Sequence, residues 1–286
     1  EMAYVMSSFG VATTLIEAMD RILPLEDAES AAVVARSLSK AGVSIRTGSL
    51  ASRTSRTDGP PNLSLRSKDG SESALEADRV LVAVGRTPNT DGLGLEDVGV
   101  RLERGIVAVG DWMESSASGI YAIGDIVGSP QLAHVASKEG EIAAARIAQV
   151  LKGGEEPRER RVDPLLIPSA VYCEPEIGSF GLSEERAKSE GIPFAAARFP
   201  YRGIGKAVAI DAVDGQAKLL YDPRTFAVLG ASIVGEGATE LIHELLLASR
   251  SELRIEDVAD MIHAHPTLSE GIMEVAKAAM GRAVHA

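Results

Sequence analysis

The chain has 286 residues, enough for two domains that each bury a core of their own. It is 45% apolar and 24% charged with a formal net charge of −12, so neither a non-specific nucleic-acid partner nor an anionic membrane surface is expected, since both require a basic face. No apolar run reaches the ~18 residues of a membrane span, and no signal-peptide pattern opens the chain.

Residues 1–8 read as a helix already under way at Glu1, with no N-cap before it and Gly10 as its stop. That start implies a chain beginning inside a domain. A short strand is expected from Gly10 to Glu17, closed by the acid. A helix follows from about Asp27 to Lys40, with Ala31, Val34, Ala35 and Leu38 on one face and Gly42 beyond its end. Strand patterns come next at Val43–Arg46, Leu63–Arg66 and the apolar run Val80–Val84, with turns at Asp58-Gly59-Pro60-Pro61 and Asp69-Gly70. Strand, helix, excursion and a return to an apolar strand ending in Gly85 fit the second half of a dinucleotide-binding α/β unit.

From Pro88 onward the pattern predicts strands at Ile106–Val109 and Ile120–Ile123, then a long Ala-rich helix from about Gln131. Gly153-Gly154 opens a linker in which Arg158, Arg160 and Arg161 alternate with Glu155, Glu156 and Glu159, a solvated mixture rather than a phosphate-binding stripe. Past Pro168 the expectation is antiparallel strands at Ala170–Cys173, Gln216–Tyr221 and Val228–Val234. Helices are expected at Ala238–Ala248, Ile255–Met261 and Ser269–Met280. The fold class is therefore α/β, a partial Rossmann-type domain and a central return segment followed by an α+β domain. The divisions are placed at 1–87, 88–160 and 161–286.

Three constellations carry chemistry. Glu17, at a strand end, is either a solvated acid or the carboxylate that takes an adenosine ribose and repels a 2′-phosphate. The pairs Gly92/Gly94, Gly203/Gly205 and Gly235/Gly237 imitate a dinucleotide loop, but none has the third glycine after a strand. The run Gly119-Ile-Tyr-Ala-Ile-Gly124-Asp125 is either an ordinary turn or a carboxylate at a sheet edge beside a glycine that admits a ligand. The helix start near Leu132-Ala133-His134 offers N–H groups to the same ligand. In His263-Ala-His265-Pro-Thr-Leu-Ser-Glu270, the carboxylate is spaced to orient an imidazole across a turn, making His265 a general base for a thiol or leaving it a structural histidine. A metal held by His263 and His265 finds no further His/Cys cluster, and none is expected. Cys173, the single cysteine, forms no internal disulfide; it reads as a buried strand thiol in a reducing, cytoplasmic setting.

Taken together, "VAVGRTPNT", "GIYAIGD", "LAHVASKEG", "IPSAVYCEPEIGSFGLSE" and "HAHPTLSE" resemble, in order and spacing, the class I pyridine nucleotide-disulfide oxidoreductases, from Glu1 to about Met280. "HAHPTLSE" and "GKAVAIDAVDG" most resemble the branch that oxidises dihydrolipoamide with NAD. The resemblance implies FAD and NAD as cofactors. Asp125 would bind the flavin's ribityl chain beside Gly124, and Gln131, Leu132, Ala133 and His134 would lie along the isoalloxazine. Glu17 would bind the NAD ribose, and Gly85 would admit the nicotinamide half. His265 would be the acid/base, oriented by Glu270, at a site shared across a homodimer of the region after Pro168; the lipoyl domain of a 2-oxo acid dehydrogenase complex would be the partner. The family's flavin-binding glycine loop, its redox cysteine pair and the glycine loop of the NAD domain would all precede Glu1. The expectation is therefore a parent enzyme of this activity and a chain inactive alone. Another disulfide reductase of the family and a non-catalytic dimerisation fragment are the alternatives.

Overall fold

The computed structural model describes residues 1–55 and 60–285. Two units emerge, one made of Glu1–Leu81 with Pro168–Ala286 and the other of Val82–Ile167.

Helix α1 (Met2–Ser8) ends at the expected Gly10 stop, and β1 (Thr14–Ile16) follows. Helix α2 (Ala28–Lys40) is capped by Asp27, whose carboxylate accepts the Glu29 and Ser30 N–H groups, and it buries Ala31, Val34 and Leu38. β2 (Ser44–Arg46) then pairs in parallel with β1, as a strand must after a helical crossover. A meander of β3 (Ser49–Ser55), β4 (Asn62–Ser67) and β5 (Glu72–Glu76) completes the excursion, with Leu63 and Leu65 turned into its covered face. Asp58 and Gly59 of the expected turn lie outside the described residues. The Asp69-Gly70 turn joins β4 to β5.

Residues 80–84, expected as a buried strand, are not one. Val82 and Val84 are 72% and 92% exposed, and among the described residues no strand pairs with the run. β-branched residues favour a strand only where lateral hydrogen bonds and facing side chains are supplied, and here neither is.

In the second unit, β6 (Leu102–Glu103) and β7 (Ile106–Val107) form a short hairpin, and α3 (Ala133–Lys152) is the long Ala-rich helix. Val100, Val107, Met113, Ala122, Val127, Ile142 and Ala143 form its core. The strand expected at Ile120–Ile123 reduces to one isolated bridge between Tyr121 and Glu114. Gly119 and Gly124, at φ +79° and +74°, turn the backbone at both ends and leave too few residues for a ladder. The mixed-charge run 153–161 has no regular structure, but the Arg146 and Arg160 guanidinium groups lie 4.6 and 5.0 Å from the Trp112 ring centroid and tie it down.

The remainder of the first unit is β8 (Ser169–Val171), β9 (Ile177–Gly181), α4 (Glu184–Glu190), β10 (Ala195–Pro200), α5 (Gly205–Ala209), β11 (Gln216–Tyr221), β12 (Val228–Val234), α6 (Ala238–Arg250), α7 (Ile255–Asp260) and α8 (Glu270–Ala279). The strands form one antiparallel sheet in the order β10-β11-β12-β9-β8. Phe199, Leu219 and Ile233 point into a core shared with Leu245 of α6 and Ile272 and Val275 of α8. Ile177 and Val234 cluster instead with Val34 and Leu38 of α2. Cys173 is half-buried in a bend just past β8 rather than within the strand, and burial pushes its thiol up to about 11.

The N-terminal turn of α2 meets this sheet through charge. Lys218, 2% exposed on β11, sits 2.6 Å from Asp27 Oδ2, 2.9 Å from Glu184 Oε1 and 3.0 Å from Glu29 Oε1, and Arg198 bridges Glu29 and Glu184. Burial opposes the Lys218 charge, but the hydrogen bonds it donates to its three carboxylate partners outweigh that and hold it protonated above the ordinary lysine range. Arg198 chiefly draws Glu29 down to about 2, and Lys218 and Lys188 draw Glu184 to about 2 against the cost of its burial. Glu26 completes the seam by accepting the Ser169 and Ser179 hydroxyls at 2.8 and 2.7 Å.

Candidate functional site

His265 and Glu270 meet as their spacing implied. α7 ends at Asp260, a short loop carries His265, and Glu270 opens α8. His265 Nδ1 lies 3.0 Å from Glu270 Oε1, and Glu270 Oε2 accepts the Thr267 N–H at 2.9 Å. The imidazole side chain is 75% exposed and the carboxylate 17%. The Thr267 N–H, more than any other contact, holds the Glu270 carboxyl below the usual carboxylate range. An ionised carboxylate at Nδ1 fixes the tautomer with hydrogen on that nitrogen, which leaves Nε2 as the acceptor, open to solvent. An imidazole held in this way can accept a proton at Nε2.

The neighbouring His263 has a different fate. Its side chain is 2% exposed, with Nε2 2.8 Å from Glu244 Oε1 and Nδ1 3.2 Å from the Met261 carbonyl. No group of three or more His, Cys, Asp or Glu side chains suited to a metal occurs among the described residues.

The second unit gathers another set. Gly124-Asp125 lies in a single 3-10 turn, and α3 begins at Ala133 with Leu132 as an N-cap that makes no side-chain capping bond. Arg86, next to Gly85, reaches both parts: Nη1 lies 3.5 Å from Asp125 Oδ2 and Nη2 donates to the Gln131 carbonyl at 2.6 Å. Gly124 N–H donates to Glu139 Oε2 at 2.7 Å, and Glu139 is 1% exposed. Thus Gly85, Gly124, Asp125, Gln131, Leu132, Ala133 and His134 lie on segments linked within one unit. Arg86 and Glu139 were inside the quoted motifs without an expected role; a charged residue in an otherwise apolar, glycine-rich run was the available signal. The half-exposed Asp125 carboxylate, the glycine beside it and the helix start are donors and acceptors suited to a polar ligand chain. Glu17 sits at the end of β1 in the other unit, its backbone N–H on the Arg46 carbonyl and its carboxylate accepting the Met19 N–H at 2.8 Å.

Two family descriptions cover most of the chain. Residues 1–140 match pyridine nucleotide-disulphide oxidoreductase, and residues 167–276 match the dimerisation domain of the same family. The chain belongs to the pyridine nucleotide-disulphide oxidoreductases. Dihydrolipoyl dehydrogenases of Corynebacterium glutamicum and Bacillus subtilis are each 41% identical to it over its whole length, which corresponds to 60% and 59% of theirs. Among solved structures, LpdA of Mycobacterium tuberculosis superposes with a TM-score of 0.84 at 29% identity, over 97% of this chain and 58% of that one. The flavoprotein disulfide reductase RclA of Escherichia coli gives 0.84 at 26%, over 96% and 61%. This chain therefore spans about 60% of the length of the relatives it matches.

Proposed function

We propose that this chain is part of a dihydrolipoyl dehydrogenase, an FAD-containing enzyme that oxidises dihydrolipoamide and passes the electron pair to NAD. The observation that carries the reading is the His265–Glu270 pair, with Nδ1 engaged and Nε2 exposed. Oxidising a dithiol to a cyclic disulfide releases two protons and two electrons. His265 Nε2 takes a proton from one thiol, and Glu270 stabilises the imidazolium that results. The flavin, when bound, supplies the carrier between dithiol and nicotinamide. Asp125 would hold its ribityl chain, with Gly124, Gln131, Leu132, Ala133 and His134 alongside. Glu17 would take the NAD ribose, Gly85 would admit the nicotinamide half, and the negative charge of Glu17 would select NAD over NADP. The divisions at 1–87, 88–160 and 161–286 are proposed as partial NAD domain, flavin-domain return and interface domain. The last is proposed to form a homodimer, with a lipoyl domain of a 2-oxo acid dehydrogenase complex delivering the substrate.

Within this chain no dithiol is available, because Cys173 is its single cysteine and burial keeps that thiol protonated. We therefore expect the polypeptide alone to dimerise without turnover. The deciding experiment joins it to the part of a dihydrolipoyl dehydrogenase relative that this chain does not span and measures NAD reduction by dihydrolipoamide. Replacing His265 by Gln should lower kcat by roughly 10²–10⁴-fold with bound flavin unchanged. A variant that turns over at the parent rate would end the proposal, as would parent material with no such activity.

A further inference from the structure

Between α7 and α8 the chain runs from Met261 to Ser269 without regular structure, and from Met261 to Pro266 every residue is exposed except His263. Ile262 reaches 95% exposure, while the His263 side chain stands at 2%. So exposed a stretch has few packing contacts to fix its path, and the one inward side chain sets where the backbone runs. His263 Nε2 lies 2.8 Å from Glu244 Oε1 and Nδ1 lies 3.2 Å from the Met261 carbonyl. Glu244 stands on α6, a firm mount: Ile242 and Leu245 on either side of it are at most 1% exposed. The first turn of α6 is held by Glu176, which accepts the Gly237 N–H at 3.0 Å and the Thr239 N–H at 3.3 Å. The far end of the loop is tied to α8. Thr267 N–H donates to Glu270 Oε2, and Thr267 Oγ1 donates to the Ala264 carbonyl at 2.6 Å. His265 therefore hangs between a tie to α6 two residues before it and a tie to α8 two residues after it.

We propose that His263, through its bond to Glu244, is a positioning residue of the His265–Glu270 pair, fixing the backbone that presents His265 Nδ1 to the carboxylate. The inference rests on reading that pair as the proton-transfer site. Two residues of chain span at most about 7 Å, so an anchor at His263 confines the backbone of His265 to a small volume. The His265 ring is 75% exposed and gets little help from packing. Glu270 is itself held by α8 and by the Thr267 N–H, so it does not follow a wandering imidazole. A hydrogen bond weakens steeply with distance and angle, and a displacement of about 1 Å at His265 is enough to lose the 3.0 Å contact. Without that contact nothing keeps hydrogen on Nδ1, and Nε2 ceases to be the fixed acceptor.

The test reads the His265 tautomer in the whole chain by long-range proton–nitrogen NMR, at a pH high enough that the ring signals no longer move, with His265→Gln identifying them. In the parent the Nδ1–H form should predominate. His263→Asn keeps an amide near the Nδ1 position, within reach of the Met261 carbonyl, but falls short of Glu244. It should turn the His265 ring over to a majority of the Nε2–H form that a free imidazole favours. His263→Gln, whose amide nitrogen reaches the Nε2 position, should return the majority to Nδ1–H. Glu244→Ala, at a side chain 27% exposed, removes the same tie without opening the core and should match the Asn variant. A parent ring without an Nδ1–H majority would overturn the proposal. So would a parental ratio in either the Asn or the Glu244→Ala variant, or a Gln variant no better than Asn. The ratio is read without substrate or cofactor, so this test and the dehydrogenase assay can fail independently.

Discussion

β12 reads Val-Leu-Gly-Ala-Ser-Ile-Val, and residues 80–84 read Val-Leu-Val-Ala-Val. By composition the second run is the better strand. In the fold, β12 lies between β11 and β9, its Ile233 packed in the core with α6 and its Val234 clustered with α2, and both are fully buried. Residues 80–84 meet no neighbouring strand among the described residues and stay exposed. The difference teaches that a strand is a property of its neighbours: the same β-branched residues contribute to stability only where hydrogen-bond partners and a covering layer are already in place.

That contrast can be broken most forcefully at Lys218. Lys218→Ala removes the cation that contacts Asp27, Glu29 and Glu184 together, and leaves the buried Asp27 carboxylate without its ion-pair partner while Arg198 still holds the other two acids. A loss of about 3–5 kcal/mol is expected in urea unfolding of the sheet unit. Lys218→Met with Asp27→Asn should recover part of it; no loss in the single variant would mean that apolar cover alone holds α2 to the sheet. Leu245→Ala, at a fully buried position of α6, should cost about 2–5 kcal/mol by the same measurement. Val84→Ala, at 92% exposure, should change stability by less than about 0.5 kcal/mol, and a larger loss would show that the run is covered after all.

Acid should act on the same seam. Glu29 and Glu184 are depressed from 4.5 to about 2, so their contribution is complete above about pH 4.5 and is lost as pH falls through about 2. The parent should therefore lose stability across that window, and Lys218→Ala should lose less because its acids are no longer held so low. Identical acid profiles for the two proteins would sink this reading.

Elements with a strong period were readable in advance. α2, α6 and α8 were placed within about two residues because apolar spacing and caps agreed. β9 and β10 were missed: Ile-Gly-Ser-Phe-Gly and Ala-Ala-Ala-Arg-Phe-Pro alternate weakly, and the sheet's closure rather than their own preference makes them strands. α4 was missed as well, although Ser183 caps it and Gly191 ends it, because at seven residues it is too short for a period to show. In the site, the five-residue spacing of His265 and Glu270 was local enough to read. Arg86 on Asp125, Glu139 on Gly124 and His263 on Glu244 were not, because each bond joins residues 10 or more apart.

From the residues alone came the family resemblance, the helical stripes and the pairing of an imidazole with an acid across a turn, all consequences of short-range spacing and side-chain chemistry. Tertiary structure alone decided which apolar runs become strands, where Lys218 finds its three acids, and that a second imidazole docks on α6. Those outcomes depend on long-range partners, whose hydrogen bonds and cover no stretch of chain supplies for itself.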